Sequence, residues 1–374
     1  MKNYSVIIIG GGPAGATAGQ YLKEKNIDDC LIIEKGGSYR DKVCAGGIPC
    51  GVIDLLPASL KNFEKVEYDT LSINYKGILE SKVKLNKPFL YGVERTKFDH
   101  HLRKGLNVHY NEKFIGFNNE KNNISVRTDK TTYTAKFLVG ADGVGSRVSI
   151  LSSLARKKRF ILGEEKEVFQ KNITEPNTVK LFLEYNYLGY GWILPKQDHY
   201  SAGSGALQKY FLSTSKGTVG KFDKGKGETK IYPISLWQGE EPLVNGRIAL
   251  AGEAGNLVDP FTAAGIYPAM LSAKLLAGVI EKALKNGKSN LQEYNKLVIN
   301  ELGEEFNCAL LLSKMFYPFL PLIKNVITSK STMQQTMENI SSGYISYKTF
   351  YRKVQRTRKI PVKIVYFLVQ KFAS

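Results

Sequence analysis

A continuous apolar run, Tyr4 to Ile9, ends in three glycines, and from Ala14 to Lys25 the apolar positions recur at helical spacing. The run predicts a strand. Pro13 suits the first turn of the helix that follows, where an amide hydrogen has no partner to lose. A second apolar run, Cys30 to Glu34, completes strand, glycine turn, helix and strand in about 30 residues, the βαβ arrangement.

Beyond a glycine-rich loop, Glu67 to Tyr75 and Ile78 to Leu85 alternate apolar and polar residues around Lys76-Gly77, which predicts a hairpin. Arg95 to Lys104 is helical in pattern, and Val108 to Phe117 and Ile124 to Val126 read as short strands. Lys136 to Gly140 is an apolar strand running into Ala141-Asp142-Gly143. Further strand signals follow at Thr178 to Tyr185, Tyr190 to Leu194, Tyr200 to Leu207 and Lys230 to Ile234, with a Lys-, Gly-, Ser- and Thr-rich segment, Ser213 to Thr229, expected as a mobile loop. Arg247 to Ala251 is another strand ending in glycine. Ala269, Ala273, Ala277, Ile280 and Leu284 then form a helical stripe closed by Gly287. The expected organisation is a nucleotide domain assembled from residues 1–60, 93–155 and 245–287, a β-rich substrate domain from 61–92 and 156–244, and a helical, basic region over 288–374.

The chain has 374 residues, more than one hydrophobic core usually serves, and its 43% apolar content excludes wholesale disorder. The four cysteines, Cys30, Cys44, Cys50 and Cys308, show neither a CxxC nor an even framework. This argues against a disulfide scaffold or a metal site and for a reducing cytoplasm. No window offers the roughly 18 to 20 uninterrupted apolar residues of a membrane span; the richest, Ala309 to Ile327, is interrupted by Lys314, Pro318, Pro321 and Lys324. A net charge of +19 calls for an anionic partner. From Asn339 to Ser374 eight Lys or Arg residues mingle with aromatic and aliphatic ones and no acid, which fits a peripheral anchor on an anionic membrane better than a nucleic-acid arm. A basic tail packed on the body fits the same pattern.

Gly10, Gly12 and Gly15, with Pro13 and Ala14, have the spacing of a dinucleotide turn: two glycines admit a pyrophosphate to the backbone, and the third lets helix and strand approach. Glu34 is placed to accept from a ribose diol, with Lys35 beside it. Two more glycine motifs end strands, Gly140 to Arg147 and Ala251 to Gly255. A long cofactor lying across several strand ends needs such repeated backbone approaches, so FAD is expected rather than a nicotinamide nucleotide.

These three motifs in this order resemble flavoproteins of the p-hydroxybenzoate hydroxylase type. The resemblance implies an α/β fold: an FAD-binding Rossmann-like domain with an inserted antiparallel β-sheet substrate domain and a C-terminal helical region. It also implies that Arg95 meets the pyrophosphate or ribityl chain, that Asp142 helps fix the pyrophosphate and the pyridine nucleotide with Gly143 at the cofactor, and that Glu253 holds the ribityl hydroxyls where the family normally has Asp. Within that family, Lys42 to Pro49, containing Cys44, Ala45 and Gly46, is similar to the cysteine and glycine loop of geranylgeranyl reductases. Tyr190 to Pro195 resembles their YxWxFP segment, with Leu194 for Phe, and Asp259 to Pro268, containing Gly265 and Ile266, resembles their flavin-facing loop.

The resemblance implies reduction of prenyl carbon–carbon double bonds on a lipid, with Cys44 near the flavin, Tyr190 and Trp192 along the substrate, and electrons from NAD(P)H or a ferredoxin-like protein. Read singly, the residues allow plainer roles: Tyr190 and Trp192 as one buried strand face, Cys44 as a small core residue, Asp259 as a turn cap. Two other functions share the scaffold: an aromatic or quinone-ring monooxygenase, and a non-catalytic membrane-associated binding protein. None of His100, His101, His109 or His199 falls in a motif, and no proton donor is evident.

Overall fold

The computed structural model describes residues 2–39, 42–155, 158–170, 172–185, 188–212, 217–331, 333–334 and 346–349. The basic segment from Asn339 onward therefore lies outside the described residues, apart from 346–349. The order begins β1 (Asn3–Ile9), α1 (Pro13–Glu24), β2 (Cys30–Ile33), β3 (Gly47–Pro49), β4 (Val66–Tyr68), β5 (Thr70–Tyr75), β6 (Leu79–Lys84) and β7 (Leu90–Gly92). It continues α2 (Arg95–Leu102), β8 (Val108–His109), β9 (Phe114–Asn119), β10 (Ile124–Thr128), β11 (Thr132–Gly140) and α3 (Arg147–Ser152). Then come β12 (Phe160–Phe169), β13 (Thr178–Leu183), β14 (Gly189–Pro195), β15 (His199–Leu207), the short turns α4 (Gln208–Tyr210) and α5 (Val219–Phe222), and β16 (Lys230–Ser235). β17 (Val244–Asn245), β18 (Ile248–Leu250), α6 (Ile266–Lys285), α7 (Glu293–Val298) and α8 (Glu304–Ile327) close the order.

The first sheet runs β17-β18-β11-β1-β2-β8, with β9 and β10 added at β11. β1 is parallel to both β2 and β11, and β11 to β18, so these strands are covered on both faces and read as apolar throughout. Val6 and Ile8 turn to the core beneath α1 and α6; Ile7 and Ile9 turn to the core shared with β10 and Val148 of α3. A second sheet, β16-β12-β15-β14-β13-β5-β6, is antiparallel except at β13 and β5. A small third sheet, β3-β7-β4, lies between. This is an α/β Rossmann-like fold carrying an additional, mainly antiparallel sheet.

Four expectations change. Glu67 to Tyr75 is not one strand: it divides at Asp69, with Tyr68 pairing in the third sheet and Thr70 in the second. Val108 to Phe117 is likewise interrupted, at Asn111, whose φ of 53° breaks the extended chain. The apolar C-terminal stretch is not broken by its prolines, because α8 runs through both Pro318 and Pro321. Both are exposed, where a lost backbone hydrogen bond costs least. Glu293–Asn325 is consequently long and apolar enough to cross a membrane by length and composition, with mean hydropathy 1.4 in its richest stretch. Part of the expected mobile loop is ordered: α5 lies within it, and Gly217 and Val219 donate backbone hydrogen bonds to the Glu164 carboxylate at 2.7 and 2.9 Å.

Candidate active site

Three strand ends lie side by side at the carboxyl edge of the first sheet. Gly10 N donates to Ile33 O at 2.9 Å, Ala141 N to Ile9 O at 2.8 Å, and Ala251 N to Gly140 O at 2.9 Å. In an open α/β sheet this edge is where a ligand sits, and here it borders a cavity of about 1130 Å³. Gly10, Gly12, Pro13 and Ala14 line it from the N-terminus of α1. Gly15 lies behind them, packed so closely that a Cβ there would stand 1.9 Å from Gly10 O.

Glu34 is almost wholly buried, and its Oε2 and Oε1 accept from Gly11 N and Gly36 N at 2.7 and 2.9 Å. The carboxylate therefore fixes the glycine turn as well as facing the cavity beside Lys35. Asp142 is similarly committed: Oδ1 accepts from Ser146 Oγ and Oδ2 from Arg147 N, so it caps α3 while bordering the cavity with Gly143. Burial raises its carboxyl above the ordinary range, against the lowering effect of those hydrogen bonds. Glu253 takes Ser235 N at 3.1 Å, and burial pushes its carboxyl up too. Arg95 makes a bidentate pair with Asp99, at 3.0 and 2.9 Å, and also bonds Cys44. Its buried guanidinium thus joins α2 to the Cys44 loop at the cavity wall.

The opposite wall is the second sheet. Tyr190 Oη donates to Thr262 O at 2.6 Å, tying that sheet to the loop before Gly265 and Ile266, all of which border the cavity. Trp192 lies 5.9 Å from Tyr190 between ring centroids, and its ring covers Gly203, where a Cβ would meet it at 2.2 Å. Cys44, Ala45 and Gly46 form the adjoining rim. All the expected site residues except Gly15 therefore border one cavity, and none of the four histidines does. Asp259 has the turn-cap role, accepting from Phe261 N at 2.7 Å and from the Tyr347 hydroxyl.

Three residues at or beside the site carry no motif. Arg103, buried on the glycine turn, donates to Gly11 O at 2.7 Å and to Ser38 O. Lys196 is buried and donates to Ala45 O and Val93 O at 2.6 and 2.8 Å, holding the Cys44 loop against the chain leading into α2. Glu165 borders the cavity from β12. The sequence offered only a faint signal for the last, a short charged run, Glu164 to Glu167, between the apolar stretches Phe160 to Leu162 and Val168-Phe169.

Residues 3–159 match the FAD binding domain family. The chain is 27% identical to the digeranylgeranylglycerophospholipid reductase of Methanocella arvoryzae, over 82% of this chain and 86% of that protein. It is 24% identical to the chloroplastic geranylgeranyl diphosphate reductase of Nicotiana tabacum, over 94% and 82% respectively. The chain thus carries an FAD binding domain and is similar over most of its length to geranylgeranyl reductases. A solved geranylgeranyl bacteriochlorophyll reductase-like protein of Thermoplasma acidophilum has the same fold, with a TM-score of 0.74 at 21% identity over 92% of this chain and 93% of that one. The cofactor of this flavoprotein is FAD, and the cavity fits it. Gly10 keeps a Cβ out of the strand-end cradle, and α1 opens with amide hydrogens suited to a pyrophosphate.

Proposed function

We propose that this flavoprotein reduces carbon–carbon double bonds in a geranylgeranyl or related prenyl chain carried on a lipid, in the manner of a digeranylgeranylglycerophospholipid reductase. One observation carries the reading. The cavity continues from the strand ends along a wall of Tyr190 and Trp192 to an apolar end formed by Leu90, Val179, Leu181 and Leu194. A prenyl chain needs such a surface, because it offers methyl and methylene groups and no hydrogen-bonding atoms. The Tyr190 hydroxyl is already engaged with Thr262 O, so the residue presents its ring rather than a polar group. Trp192 and the glycines beneath it give the chain a flat bed and keep water away.

Reduced FAD supplies the electron pair and one hydrogen. Electrons would reach it from NAD(P)H or a ferredoxin-like protein. The lipid would be met at an anionic membrane surface: only 22% of the apolar stretch within Glu293–Asn325 is buried, and Leu322 is 80% exposed, while Ser313, Lys314, Tyr317 and Pro318 of the same helix border the cavity. Such a helix lying in the membrane interface would place the cavity beside the lipid. None of the four cysteines joins a disulfide, which suits a reducing cytoplasm.

The test is anaerobic. Holoenzyme bleached by dithionite, with the excess removed, should regain its yellow colour when a geranylgeranyl lipid is added and stay bleached with the saturated analogue. Colour that returns only with oxygen, with hydroxylation of an aromatic or quinone ring, would assign the scaffold to a monooxygenase instead.

A further inference from the structure

We propose that Glu165 is the acid of this site, giving the alkene its second hydrogen as a proton; the assignment rests on the reductase reading above. The register of the second sheet places it. Glu165 pairs with Gly203, and Gly203 pairs with Trp192, so the three share the sheet face that bears the aromatic wall. Tyr190 is on the same face, opposite Gly205. The Trp192 ring lies over Gly203, whose missing side chain gives it room, and Gly205 and Glu165 border the cavity beside that ring, Glu165 only 7% exposed.

Its hydrogen bonds suit an acid that must be held and still release a proton. Oε1 accepts from Ser201 Oγ at 2.6 Å, and Ser201 Oγ accepts from Trp192 Nε1 at 3.4 Å. Oε2 takes no hydrogen bond among the described residues, leaving it to carry the proton. Burial pushes the carboxyl up to about 7, and the Ser201 hydrogen bond pulls it down. Lys196, from the turn after β14, and Arg95, from α2, also lower it, while Glu167, two residues along β12, raises it. Lys230, across the strand pair on β16, is exposed. Other acids at the cavity are committed elsewhere: Asp142 to Ser146 and the start of α3, Glu253 to Ser235. The Tyr190 phenol is pushed far up by burial and gives its hydrogen to Thr262.

The step balances without a further reagent. The alkene π bond opens; one carbon gains hydrogen with an electron pair from reduced FAD, which is thereby oxidised. The other carbon gains the proton as the Glu165 O–H bond breaks, and the carboxylate is reprotonated from solvent. A proton donor of this kind contributes about 10² to 10⁴ in rate.

The test compares holoenzyme with Glu165→Gln and Glu165→Asp. Glu165→Gln should keep its FAD and lose about 10² to 10⁴ in prenyl reduction, while Glu165→Asp, which retains an acid, recovers part of it. The wild-type rate should fall as pH rises through about 7, where the donor loses its proton. Two readouts do not depend on turnover. Infrared difference spectra of the wild type should show a protonated carboxyl that titrates near 7 and is missing from Glu165→Gln. The folded chain also holds this proton to higher pH than the unfolded chain, so wild type should lose stability relative to Glu165→Gln as pH rises from 4.5 to about 7. Undiminished reduction by Glu165→Gln with an unchanged pH profile, or a carboxyl signal that survives the substitution, overturns the assignment and leaves the reductase reading standing. Wild type that reduces no prenyl lipid removes the reading itself and the assignment with it.

Discussion

Gly10→Ala should purify without its flavin. Gly10 has a φ of 100°, and an added Cβ would lie 2.4 Å from Ala141 O and 2.9 Å from Asp142 Cα. Those are backbone atoms of the neighbouring strand end, locked by Ala141 N to Ile9 O, so they cannot swing away as a long side chain would. Backbone strain of this kind costs about 1 to 3 kcal/mol before any clash. The strand ends must separate or the turn must change shape, and either removes the pyrophosphate cradle. At the upper end of that range, FAD affinity falls by about a hundredfold. Flavin absorbance per protein, followed by titration with added FAD, measures it; full retention at wild-type affinity would mean that the turn does not bear the cofactor.

Lys196→Met should produce the largest loss of stability. Methionine fills much of the same volume, but Ala45 O and Val93 O lose the ammonium that bonds them in a buried site. An unsatisfied buried polar group costs about 1 to 3 kcal/mol, so a loss of about 2 to 5 kcal/mol is expected in urea unfolding. The change also removes a cation that lowers the Glu165 carboxyl, so the alkaline limb of the activity profile should move to higher pH. A stability change without that displacement would separate the loop-holding role of Lys196 from its electrostatic one.

The nucleotide half of the fold was legible because its signals are local. The apolar run of β1, the glycines, Pro13 and Glu34 each have a backbone reason to stand where they do, and no distant partner is needed to read them. The other sheet was less readable. β12, the longest strand described, carries Glu164, Glu165 and Lys166 in succession, all buried. Their charges are matched by partners up to 59 residues away, among them Gly217 N, Ser201, Asp223 and Gly225 O. No periodicity in the strand itself records those partners, so Glu165 stayed hidden as a candidate acid. Arg103 and Lys196 were missed for the same reason, since each acts through carbonyls of segments remote in sequence. The prolines of α8 misled in the opposite direction: a breaker by local rule is tolerated where the helix is exposed.

The central claim is that this flavin site reduces prenyl alkenes. Its most direct test is the mass of the product after anaerobic incubation of dithionite-reduced holoenzyme with geranylgeranyl lipids of several headgroups. The expected product is a lipid heavier by one hydrogen pair for every bond reduced, and by a deuterium pair when flavin reduction and incubation are both run in deuterium oxide, because the hydrogen on the reduced flavin and the carboxyl proton both come from solvent. Unchanged mass for every headgroup, in a preparation whose flavin is bound and fully reduced, would contradict it.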